Sequence, residues 1–171
     1  MAVTKYIQDH YSERVEIPMD KIYLTEKIHQ KGNYQVKGIP PEKLTMIVRD
    51  MHNGNFSLVT GWRAYQECNA AHSQTGYCII INEDRYSFIR KYGESDKKIS
   101  KIKVPSSFKK SPPSAVKVRN AAKNAEIGKF VPVVLSKDGY IIDGYSRLLA
   151  AKQLGMESIP VIRNWHKTVR R

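Results

Sequence analysis

The stretch YIIDGYSRLLAAKQLG, Tyr140 to Gly155, decides how the rest of the chain is read. An apolar run, Tyr140-Ile141-Ile142, enters Asp143-Gly144, and a helical pattern follows until Gly155. The spacing predicts a strand, a tight glycine turn and a helix over Tyr145–Leu154. A helix start leaves amide N–H groups without partners, and its dipole adds partial positive charge there. Gly144 allows close approach of another group to the backbone. Ser146 supplies a hydroxyl. Arg147 is a cation placed in the first turn, where the dipole disfavours it by roughly 0.3–1 kcal/mol. An anion bound at the turn reverses that penalty, which is the physics of phosphate sites at helix starts. Standing alone, the same residues also read as a cap at Asp143, a bend at Gly144 and an arginine lying along the surface.

The charge of the chain points the same way. The 171 residues carry a net charge of +13. Residues 1–93 hold 12 Lys/Arg against 10 Asp/Glu, or +2, while residues 94–171 hold 17 against 6, or +11. From Lys97 to Arg119 there are eight basic residues and no acid. Such a run is either a solvated, self-repelling segment or a field aimed at the phosphates of a nucleotide or nucleic acid. The nominated nucleic-acid contacts are Lys101, Lys103, Lys109, Lys110, Arg119 and Lys123. No broad apolar helical face lies beside the run, so a membrane partner is not expected.

With 41% hydrophobic residues the chain can bury a core, and its length suits one domain or two small lobes. Cys68 and Cys78 lie in apolar stretches and are expected buried and reduced. Neither a leader nor a membrane span is read, so a cytoplasmic protein is expected. No histidine pairs with another His or Cys at ligand spacing, so no structural zinc site is expected. A P-loop is absent.

Along the chain, an edge strand is predicted near Val15–Leu24 and a loop over His29–Pro41. Two strands flank the turn at Asn53-Gly54, and a helix runs from Trp62 to His72. A strand follows at Gly76–Ile81 and a helix at Arg85–Tyr92. Lys98–Pro105 reads as a strand, Ser106–Pro113 as a loop and Ser114–Ile127 as a helix closed by Gly128. Strands around Asp138-Gly139 and a last strand at Ser158–Asn164 complete the chain. Laying Gly61 on Gly144, an offset of 83, puts Tyr65 on Leu148, Cys68 on Ala151, Cys78 on Val161 and Ile79 on Ile162. Matched burial phase favours duplication of a small α/β unit over a chance likeness, with lobes at 1–93 and 94–171.

The second copy carries Pro132-Val133-Val134-Leu135, Asp138-Gly139, Tyr140-Ile141-Ile142, Gly144-Tyr145-Ser146-Arg147, Ala150-Ala151, Leu154-Gly155 and Ile159-Pro160-Val161. In that order these features resemble the ParB/sulfiredoxin superfamily, from about residue 99 to 162, with a fainter copy over about 15 to 81. The resemblance implies an α/β fold of mixed small sheets with packed helices. It also implies that Gly144, Tyr145, Ser146 and Arg147 hold the phosphates of a nucleotide, such as a nucleoside triphosphate with magnesium. Upstream, SPPSAVKV resembles the superfamily's second phosphate segment and nominates Ser114 and Lys117. Some relatives are labelled nucleases.

The chain departs from the pattern in three places. Tyr145 stands where sulfiredoxins need a cysteine, so sulfinic acid reduction is not expected. Partition proteins use Gly-Glu-Arg-Arg and carry a helix-turn-helix domain afterwards, so this chain is not expected to be a full partition protein. In the first copy Arg63 falls at the place of Ser146 and Ala64 at that of Arg147, so that copy is expected to bind phosphate poorly. The leading expectation is a module that binds nucleotide or DNA. The rival is a phosphoryl-transfer enzyme (an NTPase, a small-molecule kinase or a nuclease) with Asp143 in the chemistry. A mobile-element accessory protein acting through protein contacts is the third reading.

Overall fold

The computed structural model of the chain describes residues 3–25, 34–164 and 167–169. The expected loop at 29–41 lies outside the described residues up to 33, as do 165, 166, 170 and 171 of the basic tail. Two compact units form, Ile7–Phe88 and Ile89–Arg171 together with Met1–Tyr6. The fold is mixed α/β, with one small sheet in each unit.

Helix α1 (Val3–His10) precedes strands β1 (Val15–Pro18) and β2 (Ile22–Tyr23). The first unit continues with β3 (Met46–Asp50), β4 (Phe56–Thr60), α2 (Trp62–Ala70) and β5 (Thr75–Ile81). Its sheet runs in the order β1-β5-β3-β4-β2. The β3–β4 hairpin is antiparallel, and α2 is the crossover that makes β5 parallel to β3. Met46, Val48, Leu58, Ala64, Cys68 and Cys78 form the core between sheet and helix. Both cysteines are free and buried, and burial pushes the Cys78 thiol up to about 12.

One expected strand at 15–24 is in fact two. Pro18 has no N–H to continue a ladder, and a 3-10 turn at Met19–Lys21 follows it. Met19 anchors that turn by burying its side chain and donating its N–H to Gln74 O at 2.9 Å. The halves then separate: β1 pairs antiparallel with β5 at one edge, and β2 pairs parallel with β4 at the other.

The chain leaves the first unit within α3 (Arg85–Tyr92) and enters β6 (Ser95–Lys98). Next come α4 (Ser106–Lys110), α5 (Ala115–Glu126), β7 (Val133–Ser136), β8 (Ile141–Asp143), α6 (Tyr145–Gln153) and β9 (Ser158–Asn164). The second sheet has the order β6-β9-β7-β8, extended past β8 by a parallel bridge between Lys103 and Tyr140. Every pairing of the first sheet thus has a counterpart. Ile47 pairs with Ile79 and Thr60, and Val134 pairs with Ile162 and Asp143. Both hairpins slip register at the same step, between Ile47 and Val48 and between Val134 and Leu135. The offset of 83 places Thr60 on Asp143 and Ile79 on Ile162, while β3 falls on β7 at an offset of 87, so the two sheets repeat one pairing scheme with slack upstream of β4.

Two readings of this half are corrected. The strand expected at 98–105 is a 3-10 turn, Ile99–Lys101, followed by the single bridge at Lys103. The strand itself is the polar Ser95–Lys98, held by antiparallel pairing to β9 rather than by burial. The loop expected at 106–113 opens with the short helix α4, started by Pro105.

The three longer helices α2, α5 and α6 end in the same way. Lys129 N–H reaches Asn124 O (2.8 Å) and Gly128 N–H reaches Ala125 O (3.1 Å), the paired bonds of a Schellman cap. Gly155 and Met156 repeat it on α6, and His72 and Ser73 on α2. His72 therefore occupies the left-handed position that Gly155 fills in the other copy, at φ 53. Replacing His72 by glycine is expected to raise stability by roughly 0.5–1 kcal/mol, since the left-handed penalty of a side chain exceeds glycine's added unfolded-state entropy. Chemical denaturation of the two proteins measures it. Among the described residues no helix is long and apolar enough to cross a membrane.

Candidate functional site

The turn at Gly144 joins β8 to α6. Its φ of 97 and ψ of 27 lie in the left-handed region, and no side chain caps the helix it starts. Gly144 O accepts the first helical bond, from Leu148 N–H at 3.0 Å. A Cβ at this position would stand 2.9 Å from Val133 Cγ1 and 2.6 Å from Arg147 Nη2, so the site requires glycine. Leu148, Ala150 and Ala151 face inward and are fully buried, which fixes the helix and its first turn on the sheet.

Arg147 folds back over the turn. Its Nη2 donates to Pro132 O at 3.2 Å and lies 3.4 Å from Asp143 Oδ2. The arginine side chain is 22% exposed, and that of Asp143 is 73% exposed. The Arg147 Nε is buried with no partner among the described residues. The guanidinium thus stands beside the glycine and the start of α6 with donor capacity to spare. Asp143 ends β8, and its side chain meets Arg147. Tyr145 lays its ring against Phe108 at 5.8 Å, while Ser146 is half-buried on the first turn.

The remaining nominated residues are spread over the second unit. Ser114 caps α5, its Oγ accepting from Lys117 N–H at 3.3 Å, so that hydroxyl's acceptor is engaged in the helix start. Lys117, Arg119 and Lys123 are exposed on α5, which packs against α6. Lys109 and Lys110 end α4, also exposed. Lys101 ends the 3-10 turn. Lys103 Nζ stands 5.2 Å from the centre of the Tyr140 ring and donates to Asp138 O at 3.2 Å. An open groove of about 460 Å³ runs beside α4 and β8, lined among others by Phe108, Ser106, Ile142 and Val169. Asp138 accepts from the Ser136 hydroxyl and the Val169 N–H, and the Ser136 bond holds its carboxyl below the usual range.

The first unit repeats the turn without the cation. Gly61 has φ 109 and ψ 31, and Ala64, at the place of Arg147, is buried. Arg63 instead lies 5.9 Å above the Tyr34 ring. Here the structure adds a residue that the sequence reading passed over. Glu67 is 2% exposed, and its carboxylate accepts from the N–H groups of Lys37 (2.9 Å), Gly38 (2.8 Å) and Ile39 (3.0 Å). The Lys37 amide foremost, with the Tyr34 hydroxyl and the other two amides, holds this carboxyl below its ordinary range against the upward pull of burial. The available signal was a carboxylate in the buried phase of α2, next to Cys68 and one turn after Ala64.

No family model matches the chain. Among curated proteins it is similar to an uncharacterized protein, ORF326b, of Acidianus two-tailed virus, at 32% identity over 73 residues. That match covers 41% of this chain and 22% of the viral protein, so the chain spans about a fifth of its relative's length. Among solved structures it is similar to pNOB8-like ParB N-domains in two structures, at 26% and 28% identity. Each covers 40% of this chain and 28% or 26% of the other, with a TM-score of 0.36. A truncated ParB from Caulobacter crescentus, complexed with CTP-gamma-S, is similar at 11% identity over 67% of this chain and 61% of that one, with a TM-score of 0.35.

Proposed function

We propose that the second unit is a ParB-like phosphate-recognising module that binds a nucleotide, DNA or both through the Gly144 turn. The observation that carries this reading is Arg147: a guanidinium folded onto a glycine at a helix start, with a buried Nε that has no partner among the described residues. A phosphate oxygen supplies the missing acceptor, and charge-assisted bonds to guanidinium are about twice as strong as neutral ones. The absent Cβ of Gly144 leaves the space into which the Arg147 guanidinium packs, and the first-turn amides add donors. The residues fit the triphosphate of a nucleotide. Gly144, Ser146 and Arg147 would hold it, with Ser114 and Lys117 as further contacts. The exposed Lys101, Lys109, Lys110, Arg119 and Lys123, with Lys103, supply the field that draws polyphosphate or DNA. The viral relative supports a mobile-element setting, and nucleotide or DNA as ligand fits the cytoplasm.

The test is titration of wild type and Arg147→Ala with each ribonucleoside triphosphate and with duplex DNA. Arg147→Ala is expected to weaken binding by about 10- to 100-fold. DNA binding should fall with salt at a log–log slope near −0.9 per neutralised phosphate, and nucleotide binding much less steeply. If neither ligand binds the wild type at moderate salt, or the variant keeps its affinities, the turn is not the site.

A further inference from the structure

We infer that Asp143 is an internal competitor of the phosphate: it holds Arg147 in the ligand-free pose, and a bound phosphate takes its place. The inference rests on the phosphate reading of the Gly144 turn. Three observations lead to it. Asp143 Oδ2 lies 3.4 Å from Arg147 Nη2, on the same guanidinium nitrogen that Pro132 O accepts from at 3.2 Å. The contact is long, and its acid is 73% exposed, so solvent screens it and a better acceptor displaces it. The two copies then supply an internal control. At the offset of 83, Asp143 falls on Thr60 and Arg147 on Ala64, so the acid and the cation occur together in one copy and neither occurs in the other. The backbone role of the position, closing the hairpin opposite Ile47 or Val134, is the same with threonine as with aspartate. The carboxylate is therefore matched to the arginine and not to the fold.

This assignment reverses the sign expected of a catalytic or metal-binding carboxylate. A competitor, once neutralised, leaves the guanidinium free and removes a negative charge beside the incoming phosphates. A group that holds magnesium or takes a proton, once neutralised, weakens binding of the metal–nucleotide complex or stops turnover.

The experiment measures Kd for inorganic tripolyphosphate and for the four ribonucleoside triphosphates by calorimetry, with and without magnesium. It uses wild type, Asp143→Asn, Arg147→Ala and the double variant. Asp143→Asn is expected to bind tripolyphosphate about two- to tenfold more tightly without magnesium, and that gain should vanish in the Arg147→Ala background. Asp143→Ala repeats the measurement should the asparagine bond to Arg147 in the carboxylate's place. Unchanged or weaker binding by both Asp143 variants, beside a wild type that binds and an Arg147→Ala that does not, overturns the competitor and leaves the phosphate site standing. No binding by any of the proteins, with folded circular dichroism spectra, overturns both.

Discussion

Replacing Glu67 by alanine is expected to lower the melting temperature by about 10 °C or more, and replacing it by glutamine by roughly half as much. Three successive amides, of Lys37, Gly38 and Ile39, converge on the carboxylate at 2.8–3.0 Å. Gly38 makes the convergence possible by taking φ 74. Alanine removes the charged acceptor of all three N–H groups, and losing charge-assisted hydrogen bonds to a carboxylate is costly. Glutamine keeps one oxygen but turns the other into an amide donor aimed at donors. The two variants also differ from wild type in their response to acid. The folded carboxyl sits below its unfolded value near 4.3, so its contribution is complete above that pH and is lost as pH falls through the folded value. The melting-temperature gap between wild type and Glu67→Gln should therefore be constant above about pH 5.5 and should narrow as pH falls below about 4. Thermal melts across pH 2.5–7 measure it. A gap that widens in acid would mean that Glu67 is protonated in the folded state.

How far the chain could be read follows from which residues carry their own signal. The Gly144 turn was legible because a glycine between an apolar strand and an Ala-rich helix leaves few conformations open, and the offset of 83 was legible because burial phase repeats with it. The polar strand Ser95–Lys98 was not, because nothing in its side chains requires a strand; β9 imposes one. The break at Pro18–Met19 was hidden because a proline at an edge and a proline ending a strand look alike in sequence. Glu67 was hidden for a different reason. Its partners are backbone amides 28 to 30 residues away, and amides have no letter in the sequence. Arg147 was readable as a residue type at a helix start, but its fold-back onto Pro132 O and Asp143 depends on β7 standing beside the turn.

The paired glycines give the sharpest separation of fold from site. Both are left-handed, at φ 109 in Gly61 and φ 97 in Gly144, so a side chain at either is strained by about 1–2 kcal/mol. What a methyl group meets there differs. At Gly61 it stands 3.0 Å from Met46 Cα, at the start of the central strand β3, and that backbone is paired to Cys78 of β5 and followed directly by the Ile47 pairing to β4. At Gly144 the closest atoms belong to the guanidinium of Arg147, which can swing outward, with Val133 Cγ1 at 2.9 Å behind it. Gly61→Ala is therefore expected to cost about 2–4 kcal/mol of stability and to leave the nucleotide or polyphosphate affinity of the folded protein unchanged. Gly144→Ala should cost less stability, about 1–3 kcal/mol, yet lower that affinity at least as far as Arg147→Ala does. The methyl group displaces the arginine and covers the start of α6 in a single change. Urea denaturation and calorimetric titration of the two variants read both quantities. Equal losses of affinity would show that the turn acts only through stability, and a Gly144→Ala protein that binds as wild type would remove the first-turn amides and Arg147 from the site together.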